Sequence, residues 1–313
     1  MFLKINLIIP CFNERSVLPQ TIEAINHSLS DSINYDFIFI DDGSTDGTWE
    51  YLKKQSQLNP KIKAIRFSRN FGKEAALCAG LENADGDAAI IIDADLQHPP
   101  DIIPQMIELW QSGYDIVDGI KKSRGKESLA SKLSAKIFYK IFDKLSKHSL
   151  ENASDYKLLD RKVILAWRQF TEKDTFFRGL SAWMGFKRTS IEFQVQERTK
   201  GNSKWSFRKL MKLSIVAITG FSAKPLLIIP LITAITGIGF LVLGIQTLVR
   251  WILGNAVEGF TTVILLILFV GFSLMLSLSL LAVYIGEIFN EIKNRPRFLV
   301  SEKINLESPN LQN

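Results

Sequence analysis

Along the first 120 positions, short apolar runs alternate with stretches whose apolar residues space out at helical intervals. "INLIIP" (5–10), apolar but for Asn6, reads as a strand buried on both faces. In "VLPQTIEAINHSL" (17–29), Leu18, Ile22, Ile25 and Leu29 recur at steps of three and four, which predicts a helix. The same reading predicts strands over 35–44, 62–68, 87–93 and 114–120, and helices over 47–58, 73–84 and 100–113. Such alternation marks βαβ units, so the fold class is α/β: a Rossmann-like, mostly parallel sheet with helices on both faces. Ligands of such sheets bind beyond the carboxyl ends of the strands. "MFLKINLIIPCF" turns polar too soon for a signal peptide and is read as the first strand. The residues after Phe298 are polar and are expected to form a loose tail.

Two later stretches break this pattern. Residues 225–249 and 259–286 contain no charge, and each is long enough to cross a bilayer core of about 30 Å at about 1.5 Å per residue. Lys204, Arg208, Lys209, Lys212 and Lys224 precede the first, and Lys293, Arg295 and Arg297 follow the second. The connection between them holds only Arg250 and Glu258. The positive-inside rule then places both termini in the cytoplasm, and the plasma (inner) membrane is the expected location. The expected organisation is a cytoplasmic domain over 1–215, a two-helix transmembrane hairpin over 216–290 and a cytoplasmic tail over 291–313.

Charge adds a partner class. Lys and Arg number 38 against 32 Asp and Glu, a net charge of +6 that suits membrane lipid, nucleotide or nucleic acid. The placement of the lysines argues against nucleic acid. In 128–147, Lys132, Lys136, Lys140 and Lys144 recur every four residues beside Leu129, Leu133, Ile137, Ile141 and Leu145. That pairing suits a helix lying in a membrane interface, although a solvated lysine face over a soluble core has the same pattern. Cys11 and Cys78 match no metal or redox spacing.

Three polar clusters fall at three predicted strand ends: "PCFNE" (10–14), "DDGSTDG" (41–47) and "DADLQ" (93–97). All three should meet at one sheet edge. Strand alternation would send Asp93 and Asp95 to the same side, where their charges repel unless a cation lies between or beside them. A hard divalent ion, Mg²⁺ or Mn²⁺, takes such oxygens and tolerates an amide carbonyl such as that of Gln97. The competing reading is that the acids cap the helix near Pro99. His98 is expected to pack or bond locally rather than ligate metal. "DDGSTDG" begins like an EF-hand loop, but its twelfth position is Lys53, which rejects calcium. "GIKKSRGK" (119–126) lacks P-loop spacing, and no Gly-x-Gly-x-x-Gly opens a helix.

"IIPCFNE", "DDGSTDGT", "RNFGKEAAL", "DADLQHPP", "DYKLLDR" and "ERTKGNSKWSFRKL", in this order, resemble the polyprenyl-phosphate sugar transferases, family 2 glycosyltransferases of the dolichol-phosphate mannose synthase type. The two spans make the chain similar to the bacterial, GtrB-like branch, which glucosylates undecaprenyl phosphate. The resemblance implies a GT-A fold for the first domain, a nucleotide-sugar donor, a divalent metal, a polyprenyl phosphate acceptor, inversion at the anomeric carbon and a tetramer. Carried onto this chain, it implies donor binding by Pro10, Asn13, Glu14, Asp42, Asp93, Arg198, Ser203 and Lys204, with Gly201 giving the closing loop its freedom. Asp95 and Gln97 would hold the metal. Asp155 and Asp95 would be catalytic, Asp155 as a base or as an orienting group, since a phosphate monoester is already largely anionic near pH 7. Lys121, Arg124 and Lys132 would grip the acceptor phosphate, with Lys136 a weaker match. Asp160 is read as a helix cap. The branch implies UDP-glucose; GDP-mannose is the alternative donor. A processive polysaccharide synthase is disfavoured, since Gln-x-x-Arg-Trp is absent and two spans make a poor channel. A non-catalytic nucleotide-sugar binder is disfavoured by the intact "DADLQ".

Overall fold

The computed structural model describes residues 3–29, 33–121, 154–173, 175–194, 226, 228–253 and 259–306. Two compact units form: Met1–Ser214 together with Arg295–Asn313, and Ile215–Asn294.

The first unit is built on β1 (Lys4–Cys11), α1 (Leu18–Ser28), β2 (Asn34–Asp41), α2 (Thr48–Leu58), β3 (Ile62–Phe67), α3 (Lys73–Asn83), β4 (Ala88–Ile91), α4 (Ile103–Gln111), β5 (Ile116–Lys121), β6 (Lys157–Asp160), α5 (Arg161–Trp167), α6 (Phe177–Trp183), β7 (Arg188–Phe193) and a late strand, β8 (Val300–Ile304). The eight strands form one sheet in the order β7-β5-β6-β4-β1-β2-β3-β8. Pairs β1–β2, β1–β4, β2–β3 and β5–β7 are parallel; β6 runs against both β4 and β5, and β8 against β3. The expected mostly parallel α/β architecture is therefore present.

The apolar runs explain the layering. Leu7, Ile8 and Ile9 of β1 and Phe37 to Ile40 of β2 are fully buried, alternating between the two faces. Ile5, Leu7, Ile9, Phe37 and Phe39 pack with Leu18 and Ile25 of α1, Trp49 and Leu52 of α2, and Met106 of α4. On the other face, α3 crosses β1 and β2, close enough that a Cβ at Gly80 would lie 2.3 Å from Ile8 Cγ2 and 3.1 Å from Ile40 Cδ1. Asp160 caps α5 as expected: Oδ1 accepts the Lys162 N–H at 2.9 Å, and Oδ2 accepts the Trp110 indole N–H at 2.7 Å.

The expectation for the C-terminal segment fails. The chain after Phe298 is not loose over 300–304 but forms β8 on the β3 edge. Arg297 donates to the Phe170 and Glu172 carbonyls at 2.6 and 2.7 Å, and Phe298 stacks on Phe67 with ring centroids 4.8 Å apart. Backbone pairing and these anchors hold a segment that has no apolar period.

The second unit contains α7 (Ile228–Ile252) and α8 (Phe260–Ile292). Within them, Ile229–Val249 and Leu266–Ile292, of mean hydropathy 2.0 and 2.6, are long and apolar enough to cross a membrane. Leu241, Ile245, Phe272 and Met275 are among the side chains left exposed along them. A continuous apolar surface of that extent suits hydrocarbon rather than water.

Candidate active site

The ends of β1 and β2 are stitched into one platform. Asn13, held at φ +55°, donates its N–H to Ser44 Oγ at 2.8 Å and accepts the Thr45 N–H on Oδ1 at 2.9 Å. The Glu14 N–H donates to Thr48 Oγ1 at 3.1 Å, and Asp41 Oδ1 accepts the Ser44 N–H at 3.1 Å. Gly43 has φ +71°, and a Cβ there would meet the Arg69 carbonyl carbon at 2.6 Å, so only glycine fits this crossing. Asp42 reaches the next loop: Oδ1 accepts the Phe71 N–H at 2.6 Å and Oδ2 the Gly72 N–H at 2.9 Å. Burial pushes the Asp42 carboxyl up to about 6 although both amides favour its charge. Pro10, Asn13, Glu14 and Asp42 thus share the strand-end edge, and Asn13 and Asp42 also fix the loops there.

The "DADLQ" stretch departs from the strand reading. β4 ends at Ile91, so Asp93 and Asp95 lie in the turn beyond it and strand alternation does not set their directions. Leu96 takes φ +59°, an uncommon conformation for a branched side chain, and Asp95 Oδ1 accepts the Gln97 N–H at 3.1 Å. Asp93 does have a cation beside it, but that cation is Lys73, whose Nζ lies 2.5 Å from Oδ1. Burial opposes the Asp93 charge, yet Lys73 pulls its carboxyl below the usual range. His98 is buried, stacks on Tyr156 at 4.9 Å and accepts the Asp93 N–H on Nδ1 at 3.3 Å. Burial lowers its pKa, consistent with a neutral, locally bonded imidazole.

Asp95 and Gln97 offer one carboxylate and one amide oxygen within a single half-buried turn. That donor set fits a divalent cation that takes its other ligands from a substrate diphosphate and water. Among the described residues, no group of three or more His, Cys, Asp or Glu is placed to hold a metal by protein ligands alone.

Antiparallel β6 brings in the next carboxylate. Its register pairs Ile91 with Lys157, so the residues preceding β6 run back past the turn after β4. Asp155 thereby joins Asp93 across Lys73, whose Nζ lies 2.8 Å from Asp155 Oδ2. Arg178, in the first turn of α6, forks the same carboxylate: Nε donates to Oδ1 at 2.7 Å and Nη2 to Oδ2 at 3.0 Å. Burial would raise the Asp155 pKa, but Arg178 and Lys73 hold it well below the usual carboxylate range. Glu74 accepts the Phe177 N–H on Oε2 at 2.8 Å. Burial, then the Asp155 charge, push its carboxyl up to about 7.

Lys121 closes β5 at the same edge, and its pKa is lowered by burial and by repulsion from Arg178. Arg124, Lys132, Lys136, Arg198, Gly201, Ser203 and Lys204 lie outside the described residues, as does the amphipathic stretch 128–147. Sequence reasoning quoted Lys73 inside a motif without giving it a role, and it missed Arg178 altogether. "FFRG" carries no spacing that ties it to a carboxylate 23 positions earlier.

The arrangement gathers acidic oxygens and cations at the carboxyl edge of a nucleotide-binding type of sheet, suited to holding a phosphorylated donor. The Glycosyl transferase family 2 profile matches residues 6–167. The chain is 34% identical over 309 residues to "Uncharacterized glycosyltransferase YkcC" of Bacillus subtilis (strain 168), covering 98% of this chain and 96% of that one. It is 34% identical over 303 residues to "SfII prophage-derived bactoprenol glucosyl transferase" of Shigella flexneri, covering 96% and 98%. Among solved structures, glucosyl-3-phosphoglycerate synthase from Mycobacterium tuberculosis in complex with Mn²⁺, UDP-glucose and phosphoglyceric acid is 20% identical, with coverage of 69% and 78% and a TM-score of 0.46. The chain is a glycosyltransferase and belongs to glycosyl transferase family 2.

Proposed function

We propose that this glycosyltransferase moves glucose, with inversion, from UDP-glucose to undecaprenyl phosphate, making a lipid-linked sugar for cell-envelope glycosylation. The observation that carries this reading is near full-length similarity to a bactoprenol glucosyl transferase, with both long apolar helices included in the match. The positive flanks of those helices support spans that leave the catalytic domain and both termini cytoplasmic.

In the reaction, an acceptor phosphate oxygen attacks the anomeric carbon from the face opposite the diphosphate. The bond from that carbon to the diphosphate oxygen breaks, and its electron pair leaves with UDP. The strand-end platform with Pro10, Asn13, Glu14, Asp42 and Asp93 holds the nucleotide, and Arg198, Ser203 and Lys204 close on the diphosphate. Asp95 and Gln97 hold the divalent ion, which supplies charge neutralisation on the leaving diphosphate when bound. Lys121, Arg124 and Lys132 hold the acceptor phosphate, whose second pKa near 6 leaves it largely dianionic at pH 7. Such a nucleophile needs no strong base, which leaves Asp155 an orienting role.

The test is transfer in membranes carrying the full chain, with radiolabelled UDP-glucose and undecaprenyl phosphate, followed as label entering the organic phase. Label is expected with UDP-glucose, and an Asp95→Ala chain present at equal level should lose at least ~10²-fold of it. Label from GDP-mannose but not UDP-glucose would replace the donor, and unaffected turnover in Asp95→Ala would sink the metal site.

A further inference from the structure

Two clusters in the first unit share a composition: an aspartate held between a lysine and an arginine. Asp118, Lys157 and Arg188 lie on the adjacent strands β5, β6 and β7, and the lysine side chain is 0% exposed. That cluster ties three strands of the sheet together, with Lys157 buried and Arg188 37% exposed. Asp155, Lys73 and Arg178 come instead from a strand flank and two helix N-termini, and both cations are 32% exposed at the ligand edge. The second cluster is also tied twice to the first turn of α3. Lys73 grips the carboxylate, and the next residue, Glu74, accepts the backbone N–H of Phe177, which orients the turn carrying Arg178.

The fork from Arg178 occupies both Asp155 oxygens in one plane, and Lys73 adds a third donor to Oδ2. A carboxylate so held cannot turn about its own axis, and three of its about four lone-pair sites face cations. Burying an ion cluster adds little net stability, because desolvation offsets most of the Coulomb gain. Its geometry therefore calls for a reason at the site.

We propose that Arg178, with Lys73, is a positioning residue of the transfer site: it fixes Asp155 as an oriented carboxylate and acts on the reaction only through it. The proposal rests on the transfer reading above and deepens it. Asp155, so fixed, serves as an orienting anion between the donor-side Asp93 and the acceptor-side Lys121. A proton acceptor would need a free oxygen and a pKa nearer the working pH.

A double-mutant cycle on the purified full chain in detergent tests this. Arg178→Met, Asp155→Asn and the pair are compared for kcat, with UDP affinity measured separately by equilibrium binding. Each single change should lower kcat by ~10²-fold, the cost of about an ångström of misplacement, with UDP affinity within twofold of wild type. The double variant should be no slower than Asp155→Asn alone, because residues acting as a unit are non-additive. Arg178→Lys, which keeps the charge without the fork, should recover only part of the rate. Losses that multiply to ~10⁴-fold, a kcat within threefold of wild type in Arg178→Met, or kcat and UDP binding falling together in both Arg178 variants would each overturn the proposal. A wild type that uses another nucleotide sugar removes UDP-glucose as donor, and the same cycle is then read with that sugar. A wild type inactive with every donor overturns the transfer reading and this one together.

Discussion

The two halves of the sheet are held by different forces. In β3-β2-β1-β4, neighbouring strands are parallel and their buried positions are almost all apolar: Leu7 to Ile9, Phe37 to Ile40, Ala88 to Ile91. In β6-β5-β7, strands arrive from distant parts of the chain in mixed directions, and the fully buried Lys157 is paired to Asp118, which also takes the Arg188 guanidinium at 2.7 Å. Hydrophobic burial is non-directional, so the first half tolerates changes that keep volume and apolarity. Ion pairing is directional and fails when one member is lost. The site lies where the halves meet, with its platform on the apolar side and its cation cluster on the charged side. The largest expected effect therefore belongs to the charged half. Asp118→Ala leaves the Lys157 ammonium buried beside Arg188 without its ion-pair partner, and should cost about 3–5 kcal/mol. Thermal unfolding of the detergent-purified chain measures it, and an unchanged Tm would show that the charged half is not held by this pair.

The same contrast decides how much was legible in the sequence. β1 to β4 and their helices were readable because a parallel strand buried on both faces is a continuous apolar run, and the amphipathic helix that follows it is periodic. β6 has four residues, and β7 buries only Ile191 and Phe193 out of "RTSIEF", so neither carries a pattern distinct from a loop. β8 is polar because one side of it faces solvent, and pairing to β3 supplies its order. At the site, the strand-end acids were readable because strand ends were. Lys73 was not: nothing in its local pattern marks a partner, and its two carboxylates lie 20 and 82 positions away. The turn at Leu96 gave no warning, since its φ of +59° comes without glycine or asparagine. Pattern reports burial and period; it does not report which distant charge fills a partner's lone pair.

A second prediction tests the seam. Glu74 sits on α3, in the apolar half, but its carboxyl faces Phe177, Asp155, Arg178 and Lys73. Its folded pKa of about 7 lies above the usual 4.5, so between those values the folded chain binds more protons than the unfolded one. Stability from this group is fully present below pH 4.5 and is lost as pH rises through 7. Glu74→Gln keeps the acceptor for the Phe177 N–H and removes the titration. The wild type should lose on the order of 2 kcal/mol relative to Glu74→Gln between pH 5 and pH 8. Tm for both chains across that range checks it; a constant difference would mean Glu74 does not titrate there and the seam is not charge-sensitive.

The smallest effect is expected in the apolar half, at the contact of α3 with β1. Alanine at Gly80 would gain about 1 kcal/mol of helix propensity over glycine. Against this, its Cβ would fall 2.3 Å from Ile8 Cγ2 and 3.1 Å from Ile40 Cδ1. Ile8 and Ile40 are both fully buried in the sheet, so neither methyl can swing into solvent to make room. Overpacking of this kind costs about 1–3 kcal/mol, so the balance is a net loss of about 1 kcal/mol, or a few degrees in Tm. The atoms nearest the added Cβ belong to Ile8 and Ile40, which do not titrate, so the loss should be the same at pH 5 and pH 8, unlike that of Glu74. A rise in Tm would show slack between helix and sheet. A loss that varied with pH would show that the apolar half is coupled to the charged one, and the contrast between the halves would fail.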